Sequence, residues 1–144
     1  MCAAPGIILS DLFLEQSDLN PSPGCNGRTE MIHSSLRMKF TPEKLPEARE
    51  ILCSIVERIR VSPGCLGCDV YQDLLEPCVL LFEEWWNNHA DLGRHLRSDL
   101  YRRIILVIEM ATEYPVVKFS EIAYTTGLEM VEKVRRGLLP IPEL

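Results

Sequence analysis

The 144-residue sequence has no apolar run that approaches the roughly 18 residues of a membrane-spanning helix. It also has little positive charge, since 15 lysines and arginines face 21 acidic residues and the net charge is −6 at pH 7. Partners rich in phosphate require a basic face, so this balance argues against nucleic acid and anionic membranes. The first residues, MCAAPGIILSDLFL, lack the basic segment of a secretion signal, and Asp11 interrupts their apolar run. We therefore expect a cytoplasmic protein that contacts neither nucleic acid nor a membrane.

Several motifs of known chemistry are missing as well. The sequence has no nucleophilic triad and no phosphate-binding loop. Cys65 and Cys68 form a Cys-x-x-Cys pair, but a zinc site needs a second pair of ligands, and no such pair exists. We expect the two cysteines to enter a strand, about 10 Å apart and on opposite faces. The six cysteines are therefore expected to be free thiols with no metal bound.

Apolar periodicity is the clearest feature that is present. In MIHSSLRMKF, which begins at Met31, apolar and polar residues alternate as in a strand with one buried face. A helical stripe from about Leu45 follows, and then come two strands, CLGCDVYQ and CVLLFEEWW. The cap-type residues Asn87, Asn88 and Asp91 predict that a second helix begins near them, and we expect it to break around Ser98 and Asp99. A strand in YPVVKFSEIAY and a short amphipathic helix complete the pattern. The order β-α-β-β-α-β predicts an α+β ferredoxin-like fold with an antiparallel sheet and an added C-terminal helix.

The same pattern divides the chain into three parts. Residues 1–30 contain Asn-Pro, Pro-Gly and Asn-Gly pairs, which are typical of turns, so we interpret them as an N-terminal extension. Residues 31–124 hold the ferredoxin-like domain. Residues 125–144 hold the terminal helix and a tail that its prolines keep from being helical.

The strand residues sort into two faces. The face that must meet the helices is predicted to carry Ile32, Leu36, Met38, Phe40, Leu66, Val70, Leu80 and Phe82. The opposite face mixes apolar and charged residues, namely Arg37, Asp69, Tyr71, Val79, Leu81, Glu83 and Trp85. Large exposed apolar patches usually mark interfaces, so we predict a homodimer packed sheet on sheet. The alternative is that the N-terminal extension covers this face.

Three short motifs, taken in order, resemble one known family. They are Pro63-Gly64-Cys65, Glu84-x-Trp86 and His95-Leu96-x-Ser98. With an aromatic residue at Tyr101 and the predicted element order, they resemble the antibiotic biosynthesis monooxygenase domain over about residues 31–124. The resemblance implies a dimeric α+β barrel. It also implies a family in which some members are cofactor-free oxygenases of phenols and quinols.

Five side chains make up the candidate site. Glu84 and Trp86 share the strand parity of Phe82, so both are expected to point toward the helices. Glu84 would there be a perturbed acid beside a pocket or the ion-pair partner of an arginine, and Trp86 a pocket wall or part of the core. His95 borders the apolar stripe of its helix, which Leu92 and Leu96 mark. It is the candidate base or donor, because imidazole titrates near neutrality, and the alternative is a hydrogen-bonded structural histidine. Substrate contacts are predicted for Trp86, Phe82 and Tyr101.

These residues lead to one hypothesis and one alternative. The hypothesis is a homodimeric, cofactor-independent monooxygenase or quinol oxidase that oxidises a small phenolic or quinol substrate with O2. His95 and Glu84 are its predicted catalytic residues, in a dry pocket lined by aromatic side chains. The alternative is a non-catalytic module on the same dimeric fold that binds a small molecule or a protein. A pocket closed by core side chains next to His95 would favour the alternative.

Overall fold

The computed structural model describes residues 30–138. Its strands are β1 (Met31–Lys39), β2 (Cys65–Gln72), β3 (Val79–Trp86) and β4 (Val116–Ile122), and its helices are α1 (Leu45–Arg60), α2 (His89–Leu96), α3 (Asp99–Glu109) and α4 (Leu128–Arg135). The strands form one antiparallel sheet in the order β2-β3-β1-β4. The predicted α+β ferredoxin-like fold is confirmed. Nearly all of the predicted N-terminal extension and the end of the tail lie outside the described residues.

The two central strands carry the predicted alternation. Along β1 and β3, every second side chain is buried toward the helices. The residues between them are partly covered, except for the buried Val79 and the exposed Lys39. The register of the pair places Ile32 opposite Trp86 and Leu36 opposite Phe82. Residues opposite each other in an antiparallel pair share a face, so these four side chains belong to one core layer. The same parity turns Glu84 into that layer, where it is 1% exposed.

Two helices cover this layer with apolar stripes. The buried residues of α1 are Ala48, Leu52, Ile55, Val56 and Ile59, and those of α3 are Ile104, Val107 and Ile108. Their three- and four-residue spacing keeps them on one side of each helix. Each large apolar side chain that leaves water here stabilises the fold by about 1.5–3 kcal/mol. Pro46 stands in the first turn of α1, where its missing N–H costs nothing.

Side-chain caps divide the predicted broken helix into α2 and α3. Asn88 caps α2, because its side-chain oxygen accepts a hydrogen bond from the Asp91 N–H at 2.9 Å. Ser98 caps α3 in the same way, accepting from the Tyr101 N–H at 3.3 Å. The predicted break near Ser98 is therefore confirmed. It leaves α2 as a short helix above the end of β3, with His95 in its last turn.

A β-bulge in β2 changes two of the predicted face assignments. Cys65 pairs with Trp86, Gly67 pairs with Trp85, and the register shifts by one residue between them. Leu66 is the additional residue and is 56% exposed, so its predicted place on the helix-facing side is wrong. Cys65 and Cys68 both lie opposite inward-facing residues of β3, so the prediction that they occupy opposite faces is wrong too. Both remain free thiols, as predicted.

The outer face of the sheet and the C-terminal elements are less covered. On the outer face, the predicted residue Val79 is 1% exposed, whereas Tyr71 is 49% exposed. In β4 no residue is fully buried, and α4 buries none of its side chains, so Leu128 is 72% exposed. Residues 30–138 contain no helix with the length and apolar character to cross a membrane.

Candidate active site

Glu84 is a carboxylate enclosed in the core, and its charged neighbour is His95. The alternation of β3 sends Glu84 inward, and the position of His95 in α2 sends its ring down toward the same point. The Nε2 atom of His95 and the Oε1 atom of Glu84 are 2.5 Å apart, with side-chain exposures of 2% and 1%. The sequence suggested an arginine as the partner of Glu84, whereas in the structure the partner is His95. Isolated burial of a carboxylate is unfavourable, and a polar imidazole ring at this distance reduces that cost.

The His95–Glu84 contact leaves hydrogen-bonding capacity unused. The two atoms are close, but their approach is not aligned as a hydrogen bond, and among the described residues neither atom has an aligned partner. The indole Nε1 of Trp86 is buried and lacks a partner in the same part of the chain. Buried polar atoms are normally hydrogen-bonded, so three such atoms in one place mark this cluster as unlike ordinary core.

Aromatic contacts hold the His95 ring in place. The Trp86 indole stacks on it, with ring centroids 4.5 Å apart and planes inclined by 26°. Tyr101 meets it edge-on, at 5.4 Å and 84°. Such contacts contribute about 0.5–1.5 kcal/mol each and restrict the ring to one orientation. The structure therefore brings together four of the five predicted residues, Glu84, Trp86, His95 and Tyr101.

Burial determines the protonation state of the neighbouring acids. It raises the pKa of the Tyr101 phenol to about 12, and the negative charge of Glu84 adds to the effect. Tyr101 is thus a neutral hydrogen-bond donor at physiological pH. Burial also raises the pKa of the Cys65 and Cys68 thiols, again with a contribution from Glu84. Neither cysteine is therefore poised as a thiolate nucleophile.

A cleft of about 190 Å³ opens beside the stacked pair. Trp86 and His95 form part of its wall, and the remaining lining residues are Ser62, Pro63, Asp91, Arg94, Ser98 and Leu100. An apolar cavity of about 150 Å³ is enough to hold benzene, so this cleft has room for a single substituted ring. Glu84, Phe82 and Tyr101 are not among the lining residues. Phe82 is 1% exposed within the core.

Two charged side chains of α2, Asp91 and Arg94, line the cleft beside Gly64. Asp91 and Arg94 form an ion pair of 2.9 Å across one helical turn. Gly64 has a φ of +81°, and a Cβ added to it would lie 2.2 Å from the Asp91 carboxylate. Its carbonyl accepts a hydrogen bond from the Asn87 N–H at 2.8 Å. The glycine of the Pro-Gly-Cys motif is therefore required both for its backbone conformation and for space beside Asp91.

A larger cavity, of about 360 Å³, lies on the other flank of α2. Its lining residues are Ile32, His89, Leu92, Leu96, Phe119, Ser120 and Glu121, none of which lines the cleft. The His89 ring and the Glu121 carboxylate pair with a separation of 2.5 Å. Within residues 30–138, no group of three or more His, Cys, Asp or Glu side chains could hold a metal ion.

Comparison with known proteins gives a consistent result. A sequence model described as antibiotic biosynthesis monooxygenase matches residues 31–105, more than half of the chain. A conserved protein from Methanosarcina mazei Go1 is 26% identical, with a TM-score of 0.61, over 65% of this chain and 93% of that one. Among curated protein sequences, none matches.

Two other solved structures show the same fold. A candidate antibiotic biosynthesis monooxygenase from Deinococcus radiodurans is 22% identical, with a TM-score of 0.61, over 67% of this chain and 96% of that one. A conserved protein of unknown function from Bacteroides thetaiotaomicron VPI-5482, described as a possible oxidoreductase, is 17% identical. Its TM-score is 0.61, and the match covers 66% of this chain and 100% of that one.

Proposed function

Since the chain belongs to the antibiotic biosynthesis monooxygenase family, we propose that it is a cofactor-independent monooxygenase acting on a small phenol or quinol with O2. Family membership supports the general monooxygenase-like role. The finer proposal rests on one observation, which is that His95 forms part of a cleft wall next to Trp86 while the buried carboxylate of Glu84 stands behind it. A base with a compensating carboxylate behind it, open on one side to a ring-sized space, is suited to removing a phenolic proton.

The proposed reaction begins with the substrate ring in the cleft. The His95 imidazole takes the proton of a ring hydroxyl, and the Glu84 carboxylate stabilises the resulting imidazolium. The electron-rich ring anion then reduces O2, and a C–O bond forms at a ring carbon to give a hydroperoxide. The O–O bond breaks, water leaves, and that carbon becomes a carbonyl. One hydroquinone and one O2 therefore give one hydroxyquinone and one water, with all four electrons supplied by the substrate.

Other side chains would support this step without taking part in it. Trp86 and Tyr101 hold the imidazole in one orientation. Tyr101 stays protonated because its pKa is raised, so it adds no second negative charge beside Glu84. The apolar surfaces of Pro63, Trp86 and Leu100 keep water away from the ring anion.

Oxygen consumption tests the proposal directly. Monocyclic hydroquinones are incubated with the protein, while O2 uptake and product mass are followed with ¹⁸O2. We expect one labelled oxygen in the hydroxyquinone, and a loss of about 100-fold or more in kcat/KM for His95→Ala. His95→Gln serves as a second variant, and circular dichroism checks that both are folded. His89→Ala, on the same helix, is the matched control and should stay within about twofold of the wild type.

Two results would contradict this assignment. Equal turnover by the His95 variants would remove His95 from the mechanism. Saturable binding of hydroquinones without any oxygen uptake would instead support the non-catalytic binding module.

We also propose that the protein is a homodimer whose subunits meet through the outer faces of their sheets. On this face Trp85 stacks on His33 with centroids 4.0 Å apart, and Leu81 and Tyr71 add apolar surface. Light scattering should give twice the chain mass, and Trp85→Arg should give a folded monomer, because a buried unpaired charge opposes association. Leu106→Arg, at an exposed helical position, is the control. A monomeric wild type whose Trp85 becomes exposed when residues 1–29 are removed would favour coverage by the N-terminal extension.

A further inference from the structure

The structure points to a second binding site, which we propose takes a neutral aryl molecule carrying one hydroxyl group. The site is the larger cavity between α2 and β4. It shares no lining residue with the cleft that His95 borders, and it lies on the opposite flank of α2. The proposal therefore stands independently of the oxidation chemistry proposed for the cleft.

The walls of the larger cavity are apolar and come from three elements. Leu92 and Leu96 belong to α2, and Ile32 lies at the start of β1. Phe119 belongs to β4 and lies opposite Ser34, so it is on the sheet face that meets the helices. Ile32 and Leu92 are 1% and 6% exposed, whereas Phe119 keeps 36% of its surface exposed. A phenyl ring that faces inward and keeps this exposure indicates a space that residues 30–138 leave unfilled. A flat apolar guest would remove this ring from water.

The volume sets the size of the guest. At about 360 Å³, the cavity is nearly twice as large as the cleft and falls within the usual range for small-molecule sites. The cleft has room for one ring, whereas this cavity has room for two fused rings. The two sites should therefore select different molecules by size.

The mouth of the cavity determines the charge of the guest. His89 at the start of α2 and Glu121 on β4 pair across it, and both are partly exposed. The Glu121 carboxylate can accept a hydrogen bond from a hydroxyl group of the guest. When His89 carries no proton charge, the carboxylate also repels an anionic guest such as a carboxylate or phosphate. Neutral alcohols should therefore bind, and anionic molecules of the same shape should be rejected.

A pair of fluorescent probes tests size and charge together. The first is 2-naphthalenemethanol, which is neutral and has no phenolic hydroxyl to be oxidised, and the second is 2-naphthoate, its anionic counterpart. Titration of the full chain should show saturable binding of one alcohol per subunit. The naphthoate should bind about tenfold more weakly, and this difference should shrink to about threefold in Glu121→Gln.

Cavity variants locate the bound probe. Leu96→Trp should fill the space and weaken binding of the alcohol at least about tenfold, and Phe119→Ala should weaken it about fivefold. Phe119 is partly exposed, so its replacement keeps the protein folded even if the larger Leu96→Trp change does not. Tyr114→Ala, which removes an exposed aromatic residue outside the cavity, is the control and should stay within about twofold.

The outcomes separate this site from the proposed oxidation. Phe119→Ala should leave oxygen uptake with monocyclic hydroquinones unchanged, and hydroquinone should not displace the alcohol. Absence of saturable binding would overturn the second site. So would alcohol binding that both Leu96→Trp and Phe119→Ala leave intact while hydroquinone competes with it, because the probe would then occupy the cleft.

Discussion

Two histidines of the short helix α2 each pair with a carboxylate of the sheet, and the two pairs differ in their surroundings. In each pair the ring Nε2 and a carboxylate oxygen are 2.5 Å apart. The His95–Glu84 side chains are 2% and 1% exposed, whereas those of His89 and Glu121 are 48% and 65% exposed. Water can replace either partner of the outer pair but neither partner of the inner one. The same two chemical groups therefore serve as the centre of an enclosed cluster on one flank of α2 and as the rim of a cavity on the other.

The largest expected difference between the pairs is in stability. Removing His95 leaves a buried carboxylate without compensation, so His95→Ala should lower the free energy of unfolding by about 3 kcal/mol. His89→Ala should cost less than about 1 kcal/mol, because its partner remains hydrated. Urea unfolding of both variants measures the difference. Equal losses would mean that burial does not distinguish the two pairs.

The second prediction compares two glycines with positive φ, Gly64 and Gly137. Gly64 lies against Asp91, on the side of α2 that also carries His95. Gly64→Ala should cost about 2 kcal/mol or more, because it combines a strained positive φ with a collision against Asp91. Gly137 has a φ of +71°, and no atom of the described residues 30–138 lies within 4 Å of its added Cβ. Gly137→Ala therefore measures the backbone strain alone, which should cost about 1 kcal/mol. Thermal unfolding provides the measurement. Asp91→Gly removes every Asp91 side-chain atom near the added Cβ. If Gly64→Ala costs as much in Asp91→Gly as in the wild type, the collision is not the cause.

The stability of the protein at alkaline pH tests whether Tyr101 and the His95–Glu84 pair are shielded from water. Its pKa is raised from 10.0 to about 12 in the folded chain, so the folded state keeps a proton that the unfolded state loses. The resulting stability is fully present below about pH 10, and up to about 2 kcal/mol of it is lost as the pH rises through about 12. Tyr101→Phe should flatten this part of the stability profile. If the free energy of unfolding of the wild type is as flat between pH 10 and 12 as that of Tyr101→Phe, Tyr101 is not shielded from water.

The smallest expected effect is that of salt on the outer pair. Raising ionic strength to about 1 M should remove most of the contribution of His89–Glu121, a few tenths of a kcal/mol, and should leave His95–Glu84 unaffected. Double-mutant cycles at low and high salt, near pH 6, measure the two coupling energies. An inner pair as sensitive to salt as the outer one would show that solvent reaches Glu84.

Local pattern was sufficient for much of the fold. The alternation around Leu36 and Phe82 predicted which side chains face the helices, because strand geometry imposes a period of two. The cap-type residues Asn88 and Ser98 predicted where the second helix region begins and divides. Leu66 and Cys65 were assigned to the wrong faces, because an added residue in a strand leaves no regular trace in the sequence and appears only as a shift of pairing.

The candidate site, like the fold, was predictable from the sequence only in part. Parity predicted that Glu84 and Trp86 point inward, and the helical stripe placed His95 at its border. That His95, rather than an arginine, would stand against Glu84 was not predictable, because the contact joins two elements whose spacing depends on every side chain packed between them. Arg94 belongs to a basic run that is typical either of a solvated helix face or of a pocket mouth, and only the structure shows that it lines the cleft with Asp91.

The sequence by itself determined the order of the elements, their inward faces and the inward direction of Glu84, since backbone geometry fixes these within a few neighbouring residues. Tertiary structure alone decided the bulge, the His95–Glu84 contact, the size of the two cavities and the different burial of the two histidine pairs. Those features depend on the distance between α2 and the sheet. That distance is set by packing between residues far apart in the chain, which no local pattern contains.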